Sequence, residues 1–151
     1  MMFMVMQLVT AFLGSLGFAL LFHVRGIKLW LGSIGGLLAW GVYLWMGCFT
    51  GQDVIRYFVA SVVLTVYAET LARVVKCPAT LFLVIASIPL IPGGSLYKTM
   101  QYFMLNDLDA FSSQGLTTVL LAVAIAVGML FPTAVFQLLR KLRQQERRPL
   151  P

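Results

Sequence analysis

Apolar residues run along this chain in five long blocks, at about residues 2–23, 29–50, 54–75, 79–104 and 115–139. Each block holds roughly the 20 residues that a helix needs to cross a hydrocarbon core of about 30 Å. Polar residues collect between the blocks, in short connections at 24–28, 51–53, 76–78 and 105–114, and in a tail at 140–151. Short connections predict antiparallel neighbours in chain order. The pattern predicts an all-α polytopic membrane protein with five transmembrane helices, forming a single transmembrane domain over residues 1–139.

The fourth block is interrupted. Its middle reads Ile88-Pro89-Leu90-Ile91-Pro92-Gly93-Gly94-Ser95-Leu96-Tyr97. Each proline removes a backbone donor and clashes with the carbonyl four residues back. Gly93 and Gly94 permit backbone conformations closed to other residues. Ser95 is suited to cap a second half-helix over 95–104. Half-helices of about ten residues on each side place the break near the bilayer midplane. Irregular backbone at that depth is tolerated only where protein buries it or it lines a cavity. In carriers such breaks build substrate sites, and free amides at a half-helix N-terminus suit a carboxylate.

The second half-helix is the more polar one, with Ser95, Lys98, Thr99 and Tyr102 at helical spacing on one face. A lysine within a span faces a wet cavity or a partner, or snorkels to the interface from a merely kinked helix. Pro89, Pro92, Gly93, Gly94, Ser95, Tyr97 and Lys98 are the candidate substrate-binding residues. Glu69 in the third block is a candidate for ion coupling. Arg73 follows one turn later, at a spacing that equally suits a structural ion pair.

Charge orients the bundle. With the N-terminus outside, nine of the eleven basic residues fall on the cytoplasmic side. They are Arg25 and Lys28, then Arg73 and Lys76, then the tail with Arg140, Lys141, Arg143, Arg147 and Arg148. Asp53, Asp107 and Asp109 fall on the outer side. The positive-inside rule favours this orientation, with a cytoplasmic C-terminus. The basic tail would bind anionic lipid. The segment before Arg25 carries no positive residue and no small-residue cleavage site, so an uncleaved first helix is expected.

Composition sharpens the class. The 151 residues are 60% hydrophobic and only 11% charged, with a mean hydropathy of +0.93. The formal net charge of +6 does not point to nucleic acid, because the basic residues sit in helix connections. Cys48 and Cys77 lack metal-ligand spacing and fall near opposite membrane surfaces. His23 is the only histidine and ends the first block, an interfacial position rather than a metal ligand. Trp30, Trp40 and Trp45 read mainly as interface anchors and packing. No nucleophile–base pair, phosphate loop or metal cluster stands out, so neither a cofactor nor an enzyme activity is expected.

Small residues mark close helix contacts: Gly32 and Gly36; Ala11, Ser15 and Ala19 beside Gly14 and Gly17; Ala122/Ala126 and Ala124/Gly128. They serve intramolecular packing or contact with another subunit, including a second copy in a homo-oligomer.

At these residues the chain resembles the small, YjjB-like subunit of the threonine/serine exporter family. The resemblance covers nearly the whole sequence. It rests on Gly17-Phe18-Ala19-Leu20-Leu21-Phe22-His23-Val24, on Leu31-Gly32-Ser33-Ile34-Gly35-Gly36, and on the Glu69–Arg73 region followed by Cys77-Pro78-Ala79-Thr80. Most specific is Ile88 to Met100, where Pro89, Pro92, Gly93 and Tyr97 satisfy the family pattern of a proline, two residues, Pro-Gly, then a tyrosine. The chain departs from the family at His23, where asparagine is typical, in the proline that typically follows, and in the added Gly94. The resemblance implies one part of a secondary transporter in the bacterial cytoplasmic (inner) membrane. Its substrate would be threonine, serine or a small dicarboxylate such as succinate, and it would work with a larger membrane subunit of the same family. A non-transporting scaffold and a homo-oligomeric pore are the other readings of a bundle of this kind.

Overall fold

A computed structural model describes residues 2–146. The described residues form six α-helices: α1 (Met2–Leu21), α2 (Ile27–Met46), α3 (Asp53–Val75), α4 (Ala79–Ser87), α5 (Gly93–Met104) and α6 (Leu108–Glu146). A single 3-10 turn, Ile88–Leu90, joins α4 to the break. Helices α1, α2, α3 and α6 are each long and apolar enough to span a membrane. The α4–turn–α5 pair passes the same test only as a unit, bent by 53°. The all-helical class and the broken fourth segment are thus as the sequence pattern predicts.

Helices α2, α3, α4 and α6 enclose the main core, with α1 packed chiefly on α2. The turns at Val24 and Pro78 meet at one end, around Ile85 and Leu81. That end gathers Arg25, Lys28, Arg73 and Lys76, while Asp53 starts α3 at the other. Cys48 and Cys77 flank opposite ends of α3, and both are free.

Glycines on α2 set how closely its neighbours approach. A methyl group at Gly32 would sit 3.1 Å from Ile85 of α4. At Gly35 it would meet Ala86 of α4 and Tyr67 of α3, each at 2.9 Å. At Gly36 it would collide with Ser15 Oγ of α1 and lie 3.3 Å from Pro89 Cγ. Ala11, Ser15 and Ala19 are the buried stripe of α1. On α6, Gly128 lies against Ser61 and Phe58 of α3. These small residues are intramolecular contacts of the kind that lets membrane helices approach closely. Gly14, Gly17, Ala122 and Ala126 lie outside that core.

Left-handed residues end three helices: His23 (φ 55°), Lys76 (φ 53°) and Asn106 (φ 57°). At the end of α1 the Val24 N–H donates to the Ala19 carbonyl, closing the helix. Asparagine tolerates this conformation better than most residues. His23 thus occupies a backbone position that asparagine would take more readily. Arg56 fastens the opposite end. It donates to the Thr50 carbonyl (2.8 Å) and the Gly47 carbonyl (3.4 Å) and pairs with Asp53 at 3.1 Å.

Two boundaries differ from the pattern-based expectation. α6 begins at Leu108 rather than near Gly115, and continues past residue 139 to Glu146. Its 39 residues make about 58 Å of helix, well beyond a bilayer core of about 30 Å. Serines and threonines at 112, 113, 117 and 118 dilute the apolar signal without breaking the helix. The expected basic tail is therefore partly a continuation of α6, and Arg147 and Arg148 lie outside the described residues.

Candidate functional site

The break sits at mid-height in the bundle. Pro89 packs beside Gly36, the tenth of the 20 residues of α2. Leu90 is fully buried in the main core with Ala39, Ala60, Leu64 and Ala86. Pro89 leaves the Ile85 carbonyl without its helical donor, and Pro92 does the same to Ile88. The Ile91 N–H recovers the Ile88 carbonyl at 3.2 Å, closing the 3-10 turn. Beyond Pro92 the chain leaves the core. α5 buries none of its residues and packs chiefly on the N-terminal part of α6.

Two expectations at the break need correction. Ser95 does not cap α5: the helix starts at Gly93, with Pro92 in the cap position and no side-chain cap bond. Gly93 and Gly94 do not use left-handed backbone, since the single positive-φ glycine among the described residues is Gly26. Already helical, they instead leave the first turn bare. A Cβ added at either would meet nothing within 4 Å. Among the described residues, the Gly94 and Ser95 amides have no protein acceptor, whereas Leu96 N–H already bonds the Pro92 carbonyl at 3.0 Å. Two unclaimed donors at an exposed helix N-terminus can receive a carboxylate.

The Ser95 hydroxyl is engaged sideways, in a polar seam between α5 and α6. It lies 2.9 Å from Thr118 Oγ1 and accepts from Gln114 Nε2 at 2.8 Å. Thr99 Oγ1 lies 3.1 Å from Thr118 Oγ1 and donates to the Ser95 carbonyl at 2.9 Å. Thr118 is buried at 6% exposure, so its hydroxyl is the hub. Gln114 was not legible as a site residue, because the sequence pattern reads 105–114 as a loop, and Thr118 falls in the fifth apolar block with no signal of its own. Thr118→Val removes the hub and leaves Ser95 Oγ only its bond from Gln114 and Thr99 Oγ1 only its bond to the Ser95 carbonyl. We expect a loss of about 1–3 kcal/mol from the α5–α6 contact, read as lower thermal stability in detergent, with α1–α4 little affected.

Of the remaining candidates, Tyr97 is 69% exposed, and Lys98 is exposed with no ion-pair partner among the described residues. Neither points into the seam. Thr99 and Tyr102 are half-buried instead, so the predicted polar face is divided, with Lys98 apart.

Glu69 and Arg73 lie elsewhere. They line a groove of about 520 Å³ with Cys77, Pro78, Phe136 and Gln137, at the start of α4. The nine residues of α4 separate this groove from the break, about 13 Å along the helix. Arg73 pairs with Glu69 Oε2 at 3.0 Å and stacks over the Phe136 ring at 4.2 Å. The structural ion pair is therefore formed, and it also ties α3 to α6.

A third polar feature was missed. Gln7, Thr10 and Ala11 of α1, Trp40 of α2 and Pro89 line an open groove of about 260 Å³ on the α1–α2 side of the break. Gln7 Oε1, Trp40 Nε1 and Ser15 Oγ are buried without a hydrogen-bond partner. A single glutamine near the start of an apolar block and a tryptophan in mid-span carry no sequence signal of their own.

A family model described as threonine/serine exporter, ThrE, matches residues 7–135. The chain belongs to the threonine/serine exporter family. The match runs from Gln7 through the break, the α5–α6 seam and the Glu69–Arg73 pair, and stops just short of Phe136 and Gln137. Membership makes an exporter-type transporter the functional class, carried by a multi-pass membrane protein. No curated protein and no solved structure matches the chain.

Proposed function

We propose that this exporter-family chain is the small subunit of a two-component secondary transporter. It exports a small carboxylate-bearing metabolite, either threonine and serine or a dicarboxylate such as succinate, across the bacterial cytoplasmic membrane by alternating access. The substrate carboxylate docks at the start of α5, on the Gly94 and Ser95 amides, with Tyr97 and Lys98 on the approach. The broken span with its bare helix start carries this reading.

The need for a larger partner is supported by α5 itself. Lys98 and Gln101 are exposed on a helix that buries no residue in this chain. Polar side chains at membrane depth require a wet cavity or protein around them, and a second membrane subunit supplies both. The positive-inside rule supports an outside N-terminus, with the basic end of the bundle facing the cytoplasm and its anionic lipids.

The test is export of threonine, serine and succinate from cells making this chain, its larger partner, or both. Export that requires both chains is the expected result. Export by the larger chain alone, at the full rate, would contradict the subunit role.

Glu69 is the proposed coupling group, because it is the carboxylate within the third span and its charge holds Arg73 at 3.0 Å. Glu69→Gln is expected to keep the protein in the membrane while export loses its dependence on a pH gradient. An unchanged dependence would leave the pair a purely structural tie.

A further inference from the structure

Where α1 ends and α4 starts, the bundle carries a groove that transport does not use. It holds about 390 Å³ and is lined by Phe22, Val24, Thr80, Leu81, Val84 and Ile85. Val24 and Ile85 are buried, whereas Phe22 and Val84 stand about half exposed. The groove is thus open on one side, with the core behind it. Val84 lies five residues into α4, about 8 Å along the helix from its first residue. The groove therefore runs from the end of the bundle into the hydrocarbon. Thr80 is its one polar side chain, so it offers water too few partners to hold it.

Charge at the mouth selects what lies there. Arg25 directly follows Val24, and Lys76 stands two residues before Pro78, which also lines the groove. Both are exposed, and the half-buried Lys28 is the second residue of α2. Among the described residues none of these three has an ion-pair partner, whereas Arg73 is held by Glu69. The turns that frame the groove, 22–28 and 76–80, contain no acidic residue. Helices α2 and α4 both begin at this end, and neither has an acidic residue in its first turn. Their N-terminal dipoles add to the positive potential.

An apolar groove with a basic mouth asks for hydrocarbon and negative charge together. A second copy docked through this face would bring the same basic residues against themselves. A neutral lipid would leave the charges unbalanced. We propose that the α1–α4 groove binds an anionic phospholipid, with one acyl chain against Phe22, Val84 and Ile85 and its phosphate held by Arg25 and Lys76. Basic pockets between membrane helices suit such headgroups. This site is separate from the basic tail. It rests on the placement of the bundle in a membrane and goes beyond the transporter reading, because binding needs no export.

The test titrates the purified full chain in detergent and reads the shift in melting temperature. The probes are phosphatidylglycerol, phosphatidylcholine with the same acyl chains, and glycerol 3-phosphate. Phosphatidylglycerol is expected to stabilise the protein, and the other two to do little. Arg25→Gln combined with Lys76→Asn removes two charges, and asparagine suits the left-handed backbone at 76. The half-saturating concentration of phosphatidylglycerol is expected to rise about thirtyfold in that variant. Val84→Trp fills the groove without touching a charge, and is expected to weaken binding at least about tenfold. Should Val84→Trp fail to accumulate, Phe22→Ala removes an exposed wall of the groove and is expected to weaken binding in the same direction. An equal response to phosphatidylcholine would mean unselective lipid contact, and an equal response to glycerol 3-phosphate a phosphate site without a lipid; either overturns the proposal. So does full affinity in the groove variant, which would leave the anionic lipid to surface charge alone. Loss of the larger subunit from Val84→Trp, with lipid affinity intact, would instead make the groove a subunit contact. Failure of the transporter reading leaves this outcome untouched, since binding is read without export.

Discussion

Gly36→Val removes most of the folded protein from the membrane. Gly36 is where α1, α2 and the break converge, and even one added methyl there collides with Ser15 Oγ and presses within 3.3 Å of Pro89. Ser15 is fully buried and Pro89 is rigid, so neither yields without moving a helix. Overpacking of a close-packed contact costs about 1–3 kcal/mol for small insertions and more for branched ones. Against a typical total of about 5–15 kcal/mol that is a large fraction. Gly36→Ala is expected to lower thermal stability measurably and Gly36→Val to abolish accumulation, as read by detergent-solubilised yield and melting temperature. Gly14→Ala is the control: it has open space around it and sits on the exposed face of α1, so it is neutral or slightly stabilising. Equal behaviour of the two glycines would contradict the packing described here.

Gly93→Leu abolishes export and leaves the amount of inserted protein unchanged. The first half of that statement follows from the bare first turn of α5, where a leucine would cover the Gly94 and Ser95 amides that receive the carboxylate. The second half follows from geometry: Gly93 is not in the left-handed region, and a Cβ added there meets nothing within 4 Å. The two glycines therefore separate folding from function. Gly36 is closed by its neighbours, whereas Gly93 is open to whatever approaches α5. A Gly93→Leu protein that accumulates normally and exports at the wild-type rate would remove the substrate site from this helix start.

The contrast also shows what the sequence carries. Long apolar blocks, two closely spaced prolines and small residues at spacing four were readable, because each follows from one local rule: the length of a span, a lost donor, or close approach. The capping role expected of Ser95 was not what the fold uses. Helix α5 starts two residues earlier, so that hydroxyl is free to bond across to Thr118 and Gln114. The departure of α5 from the bundle was also hidden, since a 53° bend preserves the apolar count of the segment. The open groove on the α1–α2 side depends on Gln7 and Trp40 meeting Pro89 from three distant stretches of chain. No periodicity within one helix encodes that meeting. Glu69 and Arg73 were readable as a pair at helical spacing, but the Phe136 ring that stacks on Arg73 was not.

The central claim is that the start of α5 holds the transported carboxylate, and Gly94→Cys tests it most directly. Position 94 is exposed and has open space, whereas Ser95 is half-buried and holds the seam. With Cys48 and Cys77 replaced by serine and the larger subunit present, the rate of alkylation at position 94 is measured with and without the exported substrate. The account predicts that the substrate slows the reaction, while a non-transported solute of similar size does not. An alkylation rate unaffected by a substrate that the same cells export would contradict it.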